Sequence, residues 1–224
     1  MTEIQRNGKG WNFFSYALIA FAGLGIELIL AIFLEPAMYG CAMNEWSTWQ
    51  NISHWVMTCI CWGLVCFFLI RTSKHKYGFD VFAYEGKMKG WQWCAILAIF
   101  VVMLIVSYID WSGSKVLKEL QYNGWLKFIF QYIYYVFEVG LVVLVVVFGQ
   151  KAFEIWFHKD CRVRIPYGGI LVGLTWGLAH VFTKGSLSAG LLLILTSVGY
   201  GVTYLLVNRD VKKTYFWILL MFVL

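Results

Sequence analysis

The chain has 224 residues, of which 61% are hydrophobic and 13% charged, with a formal net charge of +6. A soluble domain of this size is nearer half apolar and a quarter charged, so the excess apolar surface needs lipid as its solvent. The positive charge does not point to nucleic acid: Lys and Arg sit in short segments between apolar runs, which is how membrane orientation is encoded.

A helix crosses a bilayer with ~20 apolar residues at about 1.5 Å each. The first candidate, 11–34, is too long for a signal-peptide core and no small-x-small cleavage site follows it, so it reads as a retained first span. Five more stretches follow in chain order, at 53–70, 91–108, 126–148, 167–182 and 187–207. A last apolar stretch, 214–224, covers only ~16 Å as a helix and is expected to stop partway through the membrane or lie against the bundle. The expected fold is all-α, a polytopic transmembrane helical bundle of about six spans plus this short C-terminal segment. It makes one integral membrane domain over 1–224, because no loop is long enough to fold alone.

Loop charge alternates along the chain. Fourteen of the eighteen Lys and Arg residues fall in the N-terminal segment and the even-numbered loops, among them Lys9, Arg71, Lys74, Lys151, Lys159, Arg162, Arg209 and Lys213. The other side holds Lys115, Lys118, Lys127 and Lys184, and a first loop containing Glu35 and Glu45 with no basic residue. This bias places the N-terminus in the cytoplasm of a multi-pass cell-membrane protein. Trp46, Trp49, Trp55, Trp91, Trp93, Trp111 and Trp125 cluster near span ends, where amphipathic rings meet the interface.

Ionisable groups inside a bilayer cost ~2.5–3.5 kcal/mol at mid-span, so each calls for a reason. Glu138 lies near the centre of the fourth span. Gln131, Tyr134 and Tyr135 share its helical face, and Lys127 continues the stripe one turn further. Such a stripe faces the bundle interior or a water-filled cavity. Its carboxylate is either a general base or a hydrogen-bonded group that joins helices. His180 ends the run Gly169-x3-Gly173-x3-Gly177-x2-His180. Glycines four apart admit a second helix, so His180 is expected in a tight helix contact, as a proton shuttle, an oxyanion donor, a metal ligand or a structural hydrogen-bonding group between helices. Glu27 follows Gly23 by one turn, and is expected to pair with a group on whichever helix approaches there.

The six cysteines, Cys41, Cys59, Cys61, Cys66, Cys94 and Cys161, include no CxxC pair and read as small apolar side chains. Cys59-x-Cys61 is a poor zinc pattern, with His54 a turn or more away near the outer surface. No metal or cofactor is expected. The sequence contains no GxSxG, P-loop, HExxH or strand-associated GxGxxG.

The last third carries a resemblance. Thr175-Trp176-Gly177-Leu178-Ala179-His180, Gly185-Ser186-Leu187, Tyr204-Leu205-Leu206 and, after a basic turn, Trp217-Ile218-Leu219-Leu220 resemble the CPBP family of CAAX-protease and bacteriocin-processing (Abi-like) intramembrane proteases. Trp176 to His180 is similar to the family's aromatic-x3-His motif, with Trp where Phe is usual. Of the family's Glu-Glu-x3-Arg motif only Glu138 remains, with Val139 beside it and Val142 or Val143 at the Arg position; the extra residues before His180 fall near 158–164. Met221 stands where the third motif has His, and Leu224 precedes its Asn position. The resemblance implies Glu138 as the base that activates water and His180 as a group polarising the peptide carbonyl. The departures imply a catalytically silent relative, a membrane interaction or immunity-like protein whose partners are the lipid bilayer and a membrane-embedded peptide or protein. Alternatives are an active intramembrane peptidase using Glu138 and His180, or a small transporter or substrate-binding membrane subunit whose Lys127–Gln131–Tyr134–Glu138 stripe lines a cavity.

Overall fold

The computed structural model describes residues 3–84, 86–157 and 164–224. The basic loop residues Lys159 and Arg162, and Cys161, lie outside the described residues, as do the side chains of Arg6 and Lys184. The described residues are helical throughout, with no strand. Helix α1 (Glu3–Leu24), α2 (Ile26–Ile29), a wide π-turn (Leu30–Leu34) and α3 (Glu35–Tyr39) follow one another end to end. They make one apolar rod over Gly8–Tyr39. Helices α4 (Thr48–Tyr77), α5 (Gly90–Asp110) and α6 (Lys115–Phe157) come next. Helix α7 (Tyr167–Val172) joins α8 (Leu178–Lys184) through a second π-turn (Gly173–Gly177), and α9 (Leu187–Leu206) and α10 (Val211–Val223) complete the chain.

Among the described residues, four helices are long and apolar enough to cross a membrane: Gly8–Tyr39, Thr48–Tyr77, Gly90–Asp110 and Lys115–Phe157. They contain the first four expected spans. The helices at the fifth and sixth, Tyr167–Thr183 and Gly190–Leu206, are shorter, about 25 Å each at helical rise.

Helix α6 is the axis of the fold. Val139 and residues 141–148 are at most 2% exposed, so this stretch is enclosed on every side, as an all-round apolar helix must be in a bundle centre. Helices α1, α4, α7 and α10 pack around it. Phe33, Phe68, Ile105 and Leu195, by contrast, stand exposed on the outer faces of their helices, the arrangement expected where lipid replaces water. Gly124, at φ 67° and ψ 168°, breaks the first two turns of α6 away from the rest. A side chain would be strained there. The C-terminal segment packs inward: Trp217, Ile218 and Met221 of α10 are buried. Its last carbonyls are held from α6, where Lys115 Nζ donates to Phe222 O at 2.6 Å and Tyr132 Oη to Val223 O at 3.2 Å. A cation at a helix C-terminus complements the helix dipole.

Local chemistry sets the helix ends. Ser47 caps α4 in a reciprocal box with Gln50, which satisfies two of the free N–H groups of the first turn. Gly78, at φ 63°, ends the same helix behind Lys74, His75 and Lys76. Between α9 and α10, Asn208 and Arg209 adopt positive φ and are held by long-range bonds. Gln92 Nε2 donates to Leu206 O at 2.7 Å and Asn208 Oδ1 at 2.8 Å, and Arg209 pairs with Glu154 at 2.7 Å. Asp210 then caps α10, accepting from the Lys213 N–H at 3.1 Å, and its carboxylate also pairs with the Lys213 ammonium.

Burial works against ionisation of Asp210, yet the Lys213 ammonium and the N–H groups of Lys213 and Lys212 hold its carboxyl below the ordinary carboxylate range. A carboxyl depressed in the fold stabilises above its unfolded pKa of about 3.9, and that contribution is lost as pH falls through the folded value. Asp210→Ala is expected to cost ~1 kcal/mol through the lost cap and to flatten the acid limb of a thermal-melting profile. Asp210→Asn keeps the cap and loses only the acid dependence. An unaltered acid limb in both variants would contradict this assignment.

Candidate buried ionisable site

The polar stripe expected on the fourth span turns inward. Glu138 is 9% exposed and Tyr134 7%, while Gln131 and Tyr135 are half-buried. Tyr134 and Tyr135 from the same helix and Tyr200 from α9 lie within the field of the Glu138 carboxylate. One turn above, the stripe closes into a hydrogen-bonded knot around the Gly124 break. Tyr135 Oη donates to Glu119 Oε1 at 2.6 Å, Gln131 Nε2 to Tyr135 Oη at 2.6 Å, and Asn123 Nδ2 to Gln131 Oε1 at 2.6 Å. Glu119 is 4% exposed. Lys127 lies outside this knot, over the Tyr122 ring at 5.8 Å.

His180 falls just past the second π-turn. Its Nδ1 is 3.0 Å from the Trp176 carbonyl one turn back, and its ring packs on the Trp176 indole with centroids 4.7 Å apart. That bond makes Nδ1 the protonated nitrogen, since a carbonyl can only accept. The stacking continues from Trp176 to Phe222 and on to Tyr135 at 5.7 and 5.2 Å, so aromatic rings link the helix of His180 with that of Glu138. The glycine stripe makes close contact with α9: a Cβ on Gly169 would lie 2.4 Å from Ser197 O, and one on Gly177 2.9 Å from Ile194 Cγ1.

The third ionisable group, the part-exposed Glu27, finds its neighbour on α4. Trp62 Nε1 donates to Gly23 O at 2.8 Å, and a Cβ on Gly23 would press on Val65 Cγ1 at 3.1 Å. The missing side chain is thus what admits α4. Across that contact His54 presents both ring nitrogens to carboxylates. Nδ1 is 2.6 Å from Glu35 Oε2 and Nε2 is 3.7 Å from Glu27 Oε1.

One expectation is corrected here. Glu35 is not a loop residue: it opens α3 and is 0% exposed. His54, near the start of α4, is 1% exposed. The physical cause is the π-turn at Leu30–Leu34. Eight residues of regular helix would rotate Glu35 about 80° from Glu27; one residue absorbed in a wide turn leaves about seven helical steps, which brings the two within about 20°. One helix face thereby holds both carboxylates against one imidazole. Sequence spacing alone carried no sign of that turn.

The surroundings fix the ring. Trp46, 8% exposed, covers His54 at 5.4 Å and is itself packed by Tyr39 at 5.6 Å. Asn51 Nδ2 donates to Trp46 O at 3.2 Å and anchors the loop. On the inner side, Tyr134 stacks on Trp62 at 4.7 Å and stands beside the Glu27 carboxylate. Glu35 Oε1, His54 Nε2 and Thr58 Oγ1 are enclosed and make no hydrogen bond. Because the two carboxylates approach opposite edges of the imidazole, they cannot share one metal ion with it. Among the described residues no group of three or more His, Cys, Asp or Glu side chains is arranged to hold one. Compared with protein-family models, curated proteins and solved structures, the chain matches none.

Proposed function

We propose that the protein is a six-span cell-membrane protein, N-terminus cytoplasmic, built on a CPBP-like scaffold and engaging a membrane-embedded peptide or protein without cleaving it. The charge alternation of the loops supports the orientation. Tyr167–Thr183 and Gly190–Leu206 are apolar and about 25 Å long each, close to the ~30 Å hydrocarbon thickness, which supports counting them as the fifth and sixth crossings.

The observation that carries the non-catalytic reading is the state of the two positions that would polarise a carbonyl. His180 is bound back to its own helix through Trp176. Met221, at the place of a second His, is 5% exposed and packed in the core, and a thioether cannot donate a hydrogen bond. What supports a membrane-embedded partner is the apolar groove between α4 and α6, lined by Trp55, Ile60, Gly63 and Phe137. Gly63 lets the Phe137 ring of α6 pack close against α4 at the groove's edge, since a Cβ there would meet that ring at 3.2 Å.

A hydrolytic reading retains Glu138 as base and His180 as polarising group. What favours it is the burial of Glu138 on the central helix, where a carboxylate is costly without a role. One experiment separates the two. Full-length protein in liposomes is incubated with a library of membrane-tethered reporter peptides, and a photocrosslinker replaces Ile60. The expected result is crosslinking to peptide with equal, background cleavage by wild type and Glu138→Gln. Cleavage that is present in wild type and absent in Glu138→Gln overturns the non-catalytic reading.

A further inference from the structure

The carboxylate–imidazole–carboxylate group between the first helix and α4 has a chemistry of its own. Glu35 is clamped at 2.6 Å on Nδ1, while Glu27 waits at 3.7 Å from Nε2 with a third of its side chain exposed. One contact is made, and the other needs less than about 1 Å of movement to reach hydrogen-bond distance. The fixed partner is the fully buried one and the loose partner is the one with room to move. Enclosed polar atoms without partners are rare; here three of them, Glu35 Oε1, His54 Nε2 and Thr58 Oγ1, belong to this one place.

We propose that Glu35, His54 and Glu27 form a proton relay leading from the outer end of the first helix toward Tyr134 and Glu138. In its elementary step the Glu35 carboxyl gives its proton to Nδ1 of a neutral His54 while the Nε2 proton passes to the Glu27 carboxylate. The ring is neutral before and after, one tautomer replaces the other, and the group carries one negative charge throughout. No oxidant, metal or second reactant enters. Imidazole is the side chain suited to this, since its two nitrogens exchange donor and acceptor roles. Chains of Glu and His are the usual means of moving protons at membrane depth.

The groups that face the relay are few. From α3 and the first loop come Glu35, Tyr39 and the Trp46 lid; from α4, Thr58; from α6, Tyr134, with Glu138 one turn beyond. No Lys or Arg is paired with any of the three members among the described residues, so no fixed cation holds either carboxyl in its deprotonated form. Past Glu138 the enclosed residues 141–148 are all apolar. The ionisable groups of the path therefore end at Glu138, and the relay's own step carries a proton between the enclosed Glu35 and the part-exposed Glu27.

The test uses the full chain in lipid nanodiscs with ¹⁵N-labelled histidine. The chain has four histidines, and His54→Gln identifies the resonances of interest by their loss. In wild type both ring nitrogens of His54 are expected at shifts averaged between protonated and unprotonated values across about pH 5 to 8. Glu27→Gln, which cannot accept the proton, is expected to freeze the ring as a single tautomer. Glu27→Asp, which retains an acid on a shorter arm, is expected to slow the exchange without abolishing it. A wild-type ring held in one fixed tautomer throughout overturns the relay, whatever the variants do. So does averaging that persists unchanged in Glu27→Gln.

Discussion

Gly169→Leu is expected to separate α7 from α9 and to cost at least ~3 kcal/mol, the upper end of overpacking penalties. The reason is that its neighbours are backbone. A Cβ at Gly169 would lie 2.4 Å from Ser197 O, 2.7 Å from Gly201 N and 2.8 Å from Gly201 Cα. None of these atoms can rotate away as a flexible side chain could. The adjacent Gly168 faces α6 in the same manner, where a Cβ would lie 2.0 Å from Val146 O, so α7 is wedged between two backbones. Gly168→Ala should therefore be severe even with a single methyl. Gly90→Ala supplies the control, because nothing lies within 4 Å of its Cβ position. Resistance to unfolding in mixed detergent micelles measures all three. A Gly169→Leu protein as resistant as Gly90→Ala would mean that the α7–α9 contact is not this close.

Much of this packing was legible beforehand, because small residues at helical spacing have one common use in a lipid solvent. Gly169, Gly173 and Gly177 announced a close helix contact, and α9 fills it. The inward turn of the Gln131–Tyr134–Glu138 face was legible for the same reason: polar groups cannot face acyl chains, and only one helix face was left for them. The length of the first helix was less legible. Glu35 and Pro36 look like the start of a loop, but Pro is tolerated in the first turn of a helix, and α3 simply continues the rod to Tyr39.

The principal site was the least legible part. Glu27 signalled a partner, yet nothing local identified His54, which is distant in sequence. Glu119 was equally hidden, since it precedes the apolar run, and only the chain reversal at Gly124 brings it back to Tyr135. In both cases a backbone irregularity, a π-turn or a left-handed glycine, decides which side chains meet. Hydrophobic periodicity assumes a regular helix and so carries no information about either.

His54→Leu should expose how much the first helix depends on this meeting. Removing the imidazole leaves Glu35 at 0% exposure with neither carboxylate oxygen hydrogen-bonded, since Oε1 has no partner already. Breaking a buried pair from one side costs up to ~3–5 kcal/mol, because Glu35 is then uncompensated when ionised and unbonded when protonated. Glu35→Leu should cost less: it newly unpairs the ring's Nδ1, at about 1–3 kcal/mol, while Nε2 has no hydrogen bond already. The double variant Glu35→Leu/His54→Leu removes both unmet groups and should be more stable than His54→Leu alone, giving a coupling of about 2–3 kcal/mol in a double-mutant cycle. The same cycle between His54 and Glu27 should give a smaller coupling, since that contact is longer at 3.7 Å and Glu27 reaches solvent or headgroups. Equal couplings for the two carboxylates would show that the ring does not distinguish them. The asymmetry of one clamped and one mobile partner, on which directional proton movement rests, would then be lost.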